Sequence, residues 1–347
     1  MPYVNVQITK GATRAQKARI VKDVTDSLVD VLGKRPEHIH VVIQEIAEED
    51  WGYSGMLTDD WKRSQASGQE APGSLYRLSA FTTTPEGGNP AGVWIGDRLP
   101  PPAEMLRIAR EVGYSETAFL APAAGKRRTV RYFSPEAEVP FRGHATIAAG
   151  VKLGALDGEG EYRFDTAAGE VAVSVSSVDG LPAAALTSVA PKQARPSAEL
   201  LARILPALAW RESELDPAIP PMLAFAGAWH LVLAAASAER LARLDYDFDA
   251  LKQLMLEAGL TTIQLVWRES ADLFHARDPF PVGGVVEDPA TGAAAAALGG
   301  YLRDAGLIAA PARITILQGE TMGRPSRLEV RIPPAGGIVV SGHAVDL

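Results

Sequence analysis

Proline is the second residue of this chain, and once Met1 is removed its nitrogen becomes a secondary amine able to act as a base or form an iminium ion. An α-amino group titrates near about 8 in a model peptide and lower when buried or set beside cations, so Pro2 would be a neutral base at physiological pH. Proline in second place is also common without function, which is the competing reading. Glu116 is the next candidate, standing between Ser115 and Thr117 and leading into the apolar run Ala118-Phe119-Leu120. A carboxylate at such a rim is expected to be partly desolvated, with its pKa raised toward the range useful in proton transfer. The plainer reading is a surface glutamate at a strand start.

A third group of residues sits at two similar segments. Gly143-His144-Ala145-Thr146 and Asp288-Pro289-Ala290-Thr291-Gly292 each read as a turn ending in Ala-Thr, followed by a helix of very small side chains. Helices so apolar and small-sided are expected to be buried. Their N-termini present free backbone N–H groups, and if they converge on a cleft they form a site for a substrate carboxylate. His144 and Asp288 then line that cleft; taken singly, His144 is as well read as a satisfied core histidine and Asp288 as a helix cap.

The elements that must position these residues are legible in part. Tyr3 to Thr9 alternates Val4, Val6 and Ile8 with polar residues, the period of a half-buried strand. Thr13 and Gln16 form a capping box, and Ile20, Val21, Val24, Leu28, Val31 and Leu32 follow at helical spacing up to Gly33. A second strand at Ile39 to Ile46 closes a right-handed crossover. A two-strand unit of this size is marginal alone and is expected to associate. Residues 64–74 have linker composition. Beyond them come a strand at Leu75 to Thr82, a turn at Gly87 to Gly92, a helix at Ala103 to Val112, and buried strands within the apolar stretch Pro221 to Ser237.

Composition bounds the function. The 347 residues, 47% hydrophobic and 22% charged, describe a soluble globular protein of two or three domains. A net charge of -8 without a basic stripe argues against nucleic acid. No stretch has the length of a membrane span, and the opening residues lack the basic and apolar regions of an export signal, so the cytoplasm is the expected compartment. Zero cysteines exclude disulfides and thiolate chemistry, leaving carboxylate, His, Lys, Tyr or the terminal amine for acid–base work. No phosphate-cradling loop and no histidine spacing for a metal appear, so no cofactor is expected.

Residues Pro2 to Arg63 resemble the 4-oxalocrotonate tautomerase family, small β-α-β subunits that assemble into hexamers with the terminal proline as base. Trp51 stands in the place of that family's active-site aromatic, whereas its two substrate-binding arginines align with Ala12 and His40, which implies altered chemistry or a mainly oligomerising role. From about Leu75 to the end the chain resembles the PhzF family of isomerases and epimerases, through Gly88-Asn89-Pro90-Ala91, Ser115-Glu116-Thr117-Ala118-Phe119, Gly143-His144-Ala145-Thr146, Glu287-Asp288-Pro289-Ala290-Thr291-Gly292, and Gln318-Gly319 before Gly323-Arg324-Pro325-Ser326.

These resemblances imply an α+β chain: a tautomerase-like domain over 1–63, a linker over 64–74, and a two-lobed fold like diaminopimelate epimerase, lobes 75–190 and 191–347, with a buried helix in each lobe and the C-terminal tail returning to the first. They imply proton transfer by Glu116 with help from His144 and Asp288, and substrate contacts from Asn89, Gly143, Thr291 and Gly292. The implied substrate is a small carboxylate, without nucleic acid or membrane, and the implied assembly is a homo-oligomer on the hexameric pattern. Ala293 stands where the PhzF family commonly has serine, and Arg142 is bulkier and more charged than that position suggests. The alternative is a degenerate pair acting as a binding or assembly protein.

Overall fold

The computed structural model describes residues 2–53, 55–60 and 73–347, and the chain divides into two compact units, Met1–Glu70 and Ala71–Leu347. In the first, β1 (Tyr3–Thr9) and β2 (His40–Ile46) pair in parallel from Tyr3 opposite His40 to Thr9 opposite Ile46, joined by α1 (Arg14–Leu32). The capping box forms: the Gln16 backbone N–H donates to Thr13 Oγ1 at 3.3 Å and the Thr13 N–H to Gln16 Oε1 at 2.8 Å. Gly33 closes the helix in the left-handed conformation with φ 60°.

Val4, Val6 and Ile8 turn inward with Ile20, Val24 and Leu28, but Val21, Val31 and Leu32 lie on the surface, Val31 at 76% exposure. The helical stripe is thus narrower than its spacing suggests. No described residue of this unit is fully buried, as expected when two strands and one helix must make a core. A short hairpin of β3 (Gly52–Tyr53) and β4 (Met56–Leu57) follows Trp51. The expected linker lies outside the described residues through position 72.

The second unit is one long sheet curled around two helices. Strands β5 (Gly73–Ala80) and β6 (Asn89–Gly96), helix α2 (Pro102–Val112), and strands β7 (Thr117–Pro122), β8 (Arg127–Phe133) and β9 (Glu138–Val139) lead into α3 (Gly143–Asp157). β10 (Gly160–Thr166), β11 (Gly169–Val178) and β12 (Leu181–Thr187) complete the wall around α3. The chain continues through β13 (Lys192–Ala194), α4 (Ala198–Ala207), β14 (Met222–Phe225), β15 (Trp229–Ala234), α5 (Ala238–Ala242), α6 (Phe248–Glu257), β16 (Thr262–Arg268), β17 (Leu273–Pro279) and β18 (Glu287–Asp288) to α7 (Gly292–Asp304). β19 (Ala312–Gln318) and β20 (Ser326–Ile332) then close around α7, and β21 (Val339–Asp346) brings the tail back between β12 and β5.

Why the two wrapped helices are so small-sided is a matter of distance. A Cβ on Gly150 would sit 2.8 Å from Val173 Cγ1, and one on Gly154 would sit 2.4 Å from Val175 Cγ1. On α7 a Cβ at Gly300 would lie 2.4 Å from Pro191 Cβ. At these positions each helix therefore approaches its neighbours at a separation only glycine permits, and the core along both is close-packed. The opposite face of β15 and β16, with Leu231, Leu233, Ile263 and Leu265, packs on α4 and α6.

Two segments differ from expectation. Asn89 to Gly92 belong to β6, paired with β5 from Ala80 opposite Asn89, so the turn is confined to residues before Asn89. Ala145-Thr146 lies inside α3 rather than in the turn before it, because the helix starts at Gly143. The Thr146 hydroxyl turns back to the Arg142 carbonyl at 2.7 Å and meets Tyr132 Oη at 2.7 Å, which lets threonine sit in the first turn. The matching positions of the two helices are thus Gly143 and Gly292, and Thr146 has no counterpart in Thr291. Among the described residues, no helix is long and apolar enough to cross a membrane.

Candidate active site

The starts of α3 and α7 meet. A Cβ on Gly143 would lie 4.0 Å from the Gly292 Cα, so two helix N-termini with free N–H groups adjoin at one place. Neither helix spends its N-cap side chain on its own backbone: Arg142 and Thr291 both lack a side-chain cap hydrogen bond. Their side chains serve two carboxyls instead.

Glu116, 6% exposed, sits just before β7, its carbonyl held by the Gly92 N–H at 3.1 Å. Arg142 Nε donates to its Oε1 at 2.6 Å, and His144 Nε2 stands 3.4 Å from its Oε2 and 3.4 Å from Ser115 Oγ. Burial pushes the Glu116 carboxyl up, but His144 and the Arg142 guanidinium more than offset it, and the pKa falls below the ordinary glutamate value. The expectation of a raised pKa is therefore corrected: the desolvation is present, and His144 and Arg142, both outside the local sequence around Glu116, together override it. His144 is pushed down by burial, against the pull of Glu116, which favours its neutral form.

Asp288 ends the short strand β18. Its Oδ1 accepts from Asn89 Nδ2 at 2.8 Å and its Oδ2 from Thr291 Oγ1 at 2.6 Å. Gln318 fixes the same loop, donating through Nε2 to the Asp288 carbonyl at 2.8 Å and to Thr291 Oγ1 at 3.1 Å. Burial raises the Asp288 pKa to about 7, with the Glu116 charge acting in the same sense and the Thr291 and Asn89 donors against it. Gly319, with φ 75°, holds Gln318 in place; a Cβ there would lie 2.4 Å from the Arg324 carbonyl oxygen and 2.8 Å from that of Pro289.

The structure thus brings together Glu116, His144, Asp288, Asn89, Thr291, Gly143 and Gly292. Pro2 and Trp51 belong to the other unit. Pro2 is half-buried and its carbonyl accepts from the His40 N–H at 3.1 Å; the Trp51 carbonyl accepts from Thr58 N at 2.8 Å and Thr58 Oγ1 at 2.7 Å. Among the described residues no cluster of three or more His, Asp or Glu is arranged to hold a metal.

Sequence reasoning missed three participants. Arg142 stood out only as an odd neighbour of Gly143. Gln318 carried a motif without a role. Asp278 gave no signal at all, yet it is the strand partner of Asp288, fully buried, with neither carboxyl oxygen hydrogen-bonded. Burial pushes its pKa well above the ordinary carboxyl value, and Asp288 and Glu287 add to the rise.

Comparison with known proteins places these features in context. Residues 78–347 match the family model described as phenazine biosynthesis-like protein, and residues 2–60 match that described as tautomerase enzyme. An uncharacterized isomerase of Bacillus subtilis (strain 168) is 28% identical over 78% of this chain and 95% of its own length. Trans-2,3-dihydro-3-hydroxyanthranilate isomerase of Pseudomonas fluorescens is 32% identical over 77% of this chain and 95% of its own length. A solved structure from Pseudomonas aeruginosa titled "Predicted Epimerase" superposes with a TM-score of 0.71 at 27% identity, over 80% of this chain and 97% of its own. The chain accordingly belongs to the phenazine biosynthesis-like family of isomerases, with a tautomerase-family domain ahead of it.

Proposed function

We propose that residues 75–347 are a cofactor-independent proton-transfer isomerase or epimerase acting on a small carboxylate-bearing substrate, with Glu116 as acid/base and His144 and Asp288 assisting. The observation that carries this reading is the placing of Glu116, His144 and Asp288 at the adjoining starts of α3 and α7, with the Glu116 carboxyl held below its ordinary value and that of Asp288 pushed up to about 7. Opposed shifts let one site offer a base and an acid at the same pH. Glu116 takes a proton from carbon beside an unsaturated or carboxylate-bearing centre, the C–H electron pair enters the conjugated system, and Glu116 returns the proton elsewhere on it. Asp288 in its acid form and the N–H groups at Gly143 and Gly292 stabilise the negative charge that gathers meanwhile. Asn89 and Thr291 orient Asp288 in this scheme, and every group the step uses belongs to the chain.

In this reading 75–190 and 191–347 are the two lobes of a diaminopimelate epimerase-like fold, with α3 and α7 as their central helices, and 1–63 is a separate tautomerase-like domain. That domain assembles the enzyme as a homo-oligomer on the hexameric tautomerase pattern. The lack of fully buried side chains among its described residues and its open Tyr3, Val31 and Leu32 support an assembling role. With Met1 removed, Pro2 ketonises enols, with Trp51 as the aromatic residue of the site and without the arginines that Ala12 and His40 replace.

The test is deuterium exchange and tautomerisation over a panel of enol acids, 2-oxo acids and dihydroaromatic carboxylates. Loss in Glu116→Gln alone supports the larger unit as the enzyme and the smaller as scaffold. Loss in Pro2→Ala alone moves the chemistry to the small domain, and full activity in Glu116→Gln removes the base assignment.

A further inference from the structure

Arg142 is in an unusual position for a charged residue. It occupies the N-cap of α3, where an acceptor side chain is favoured, and its side chain makes no cap hydrogen bond. The guanidinium instead donates through Nε to Glu116 Oε1 at 2.6 Å and through Nη1 to the Phe141 carbonyl at 3.0 Å, while Nη2 has no hydrogen bond to a described residue. The side chain is about a third exposed, at 34%. It borders the place where Gly143 adjoins Gly292, the two unused helix N-termini.

The charged and titratable groups facing Glu116 are Arg142 and His144 from the start of α3 and Asp288 from β18. With His144 favouring its neutral form, Arg142 is the standing cation among them. A guanidinium is built to hold a carboxylate through two parallel N–H donors, and Glu116 uses one. A second carboxylate can therefore be taken by Nη2 and the helix N–H groups without displacing Glu116.

We propose that Arg142 is a positioning and specificity residue: it keeps Glu116 ionised, and its free Nη2 edge captures the carboxylate of the substrate beside the paired helix starts. The inference rests on the reading of Glu116 as the base. It adds a consequence for that base. Paired to a bare guanidinium, Glu116 is a weak proton acceptor; once the substrate carboxylate shares the same cation, the attraction on Glu116 weakens and its proton affinity rises. The base then strengthens when a carboxylate substrate is seated, and the proton passes from substrate carbon to Glu116 Oε2, the oxygen that Arg142 does not hold.

Two measurements on the full chain test this. The first is a carbon-13 NMR titration of protein labelled at glutamate Cδ, with Glu116→Gln identifying the resonance. Arg142→Gln should raise the Glu116 midpoint, while Arg142→Lys, which keeps the charge, should leave most of the depression. An unchanged midpoint in Arg142→Gln overturns the first half. The second is calorimetry with benzoate and benzamide, which differ in the anionic group. Wild type should prefer benzoate by about tenfold, the scale of one charge-assisted hydrogen bond, and both Arg142 variants should lose most of that preference. No preference in wild type, or an intact one in the variants, overturns the second half. Neither readout needs turnover, so a failed base assignment, seen as exchange surviving Glu116→Gln, stays distinguishable from a failed Arg142 assignment.

Discussion

At the start of α3 the N-cap is Arg142, and at the start of α7 it is Thr291. The first cannot accept a hydrogen bond and the second can, yet the Thr291 hydroxyl goes to Asp288 Oδ2 at 2.6 Å rather than to its helix. Each N-cap is thus diverted to one carboxyl, and the two carboxyls diverge. Glu116 meets His144 and the full charge of Arg142, which together overcome burial. Asp288 meets neutral donors, which do not, and lies within the field of Glu116 as well. Two similar helix starts therefore yield one ionised base and one acid with a pKa of about 7, and the difference lies in whether the partner carries charge.

Breaking the α3 side of this contrast should have the largest effect. Glu116→Gln is expected to lower exchange by about 10²–10⁴-fold, the usual contribution of a positioned acid/base, measured at saturating substrate. On the α7 side, a role for protonated Asp288 predicts a profile of kcat/KM that falls as pH rises through about 7. Asp288→Asn should erase that alkaline limb, and a limb that persists assigns it to another group.

Packing gives the next effect. Gly154→Leu would force a side chain into the 2.4 Å approach to Val175 and is expected to cost about 1–3 kcal/mol in denaturant unfolding. A finer probe is Thr291→Val, which removes a donor to ionised Asp288 and should move the alkaline limb upward, whereas loss of a purely structural contact would leave its position unchanged.

The smallest effect concerns Asp278. Its folded-state pKa is raised, so the fold holds this proton more tightly than the unfolded chain does. Its contribution is intact below the unfolded carboxyl value of 3.8 and is lost as pH rises from there to the folded value. Asp278→Asn should therefore become more stable relative to wild type as pH rises through that window, read from melting temperatures. A difference constant with pH would mean that Asp278 does not titrate on unfolding.

Much of this was legible from residue order. The capping box at Thr13 and Gln16, the alternation in β1, and the burial of Ala145 to Leu153 and Ala294 to Leu302 follow from local propensity and apolar pattern. The segments carrying Glu116, His144 and Asp288 were visible as motifs. Only the turn read as ending in Ala145-Thr146 fails, because the partners of Thr146, the Arg142 carbonyl and Tyr132, are fixed by the helix and by β8. The sign of the Glu116 shift was beyond local reading, since the groups that decide it, His144 and Arg142, come from the start of α3.

By itself the sequence determined the element types, the two small-sided helices and the chemical inventory: a proline in second place, paired acids, no thiol. Those depend on neighbours within a few residues, where periodicity and capping act. The tertiary structure alone decided that Gly143 lies against Gly292, that Asn89 reaches Asp288 across 199 positions, and that Asp278 is sealed beside it. These follow from sheet register and closure, which fix distances between segments remote in the chain. Electrostatic shifts depend on those distances and on burial, so the roles of acid and base are set only once the sheet has closed.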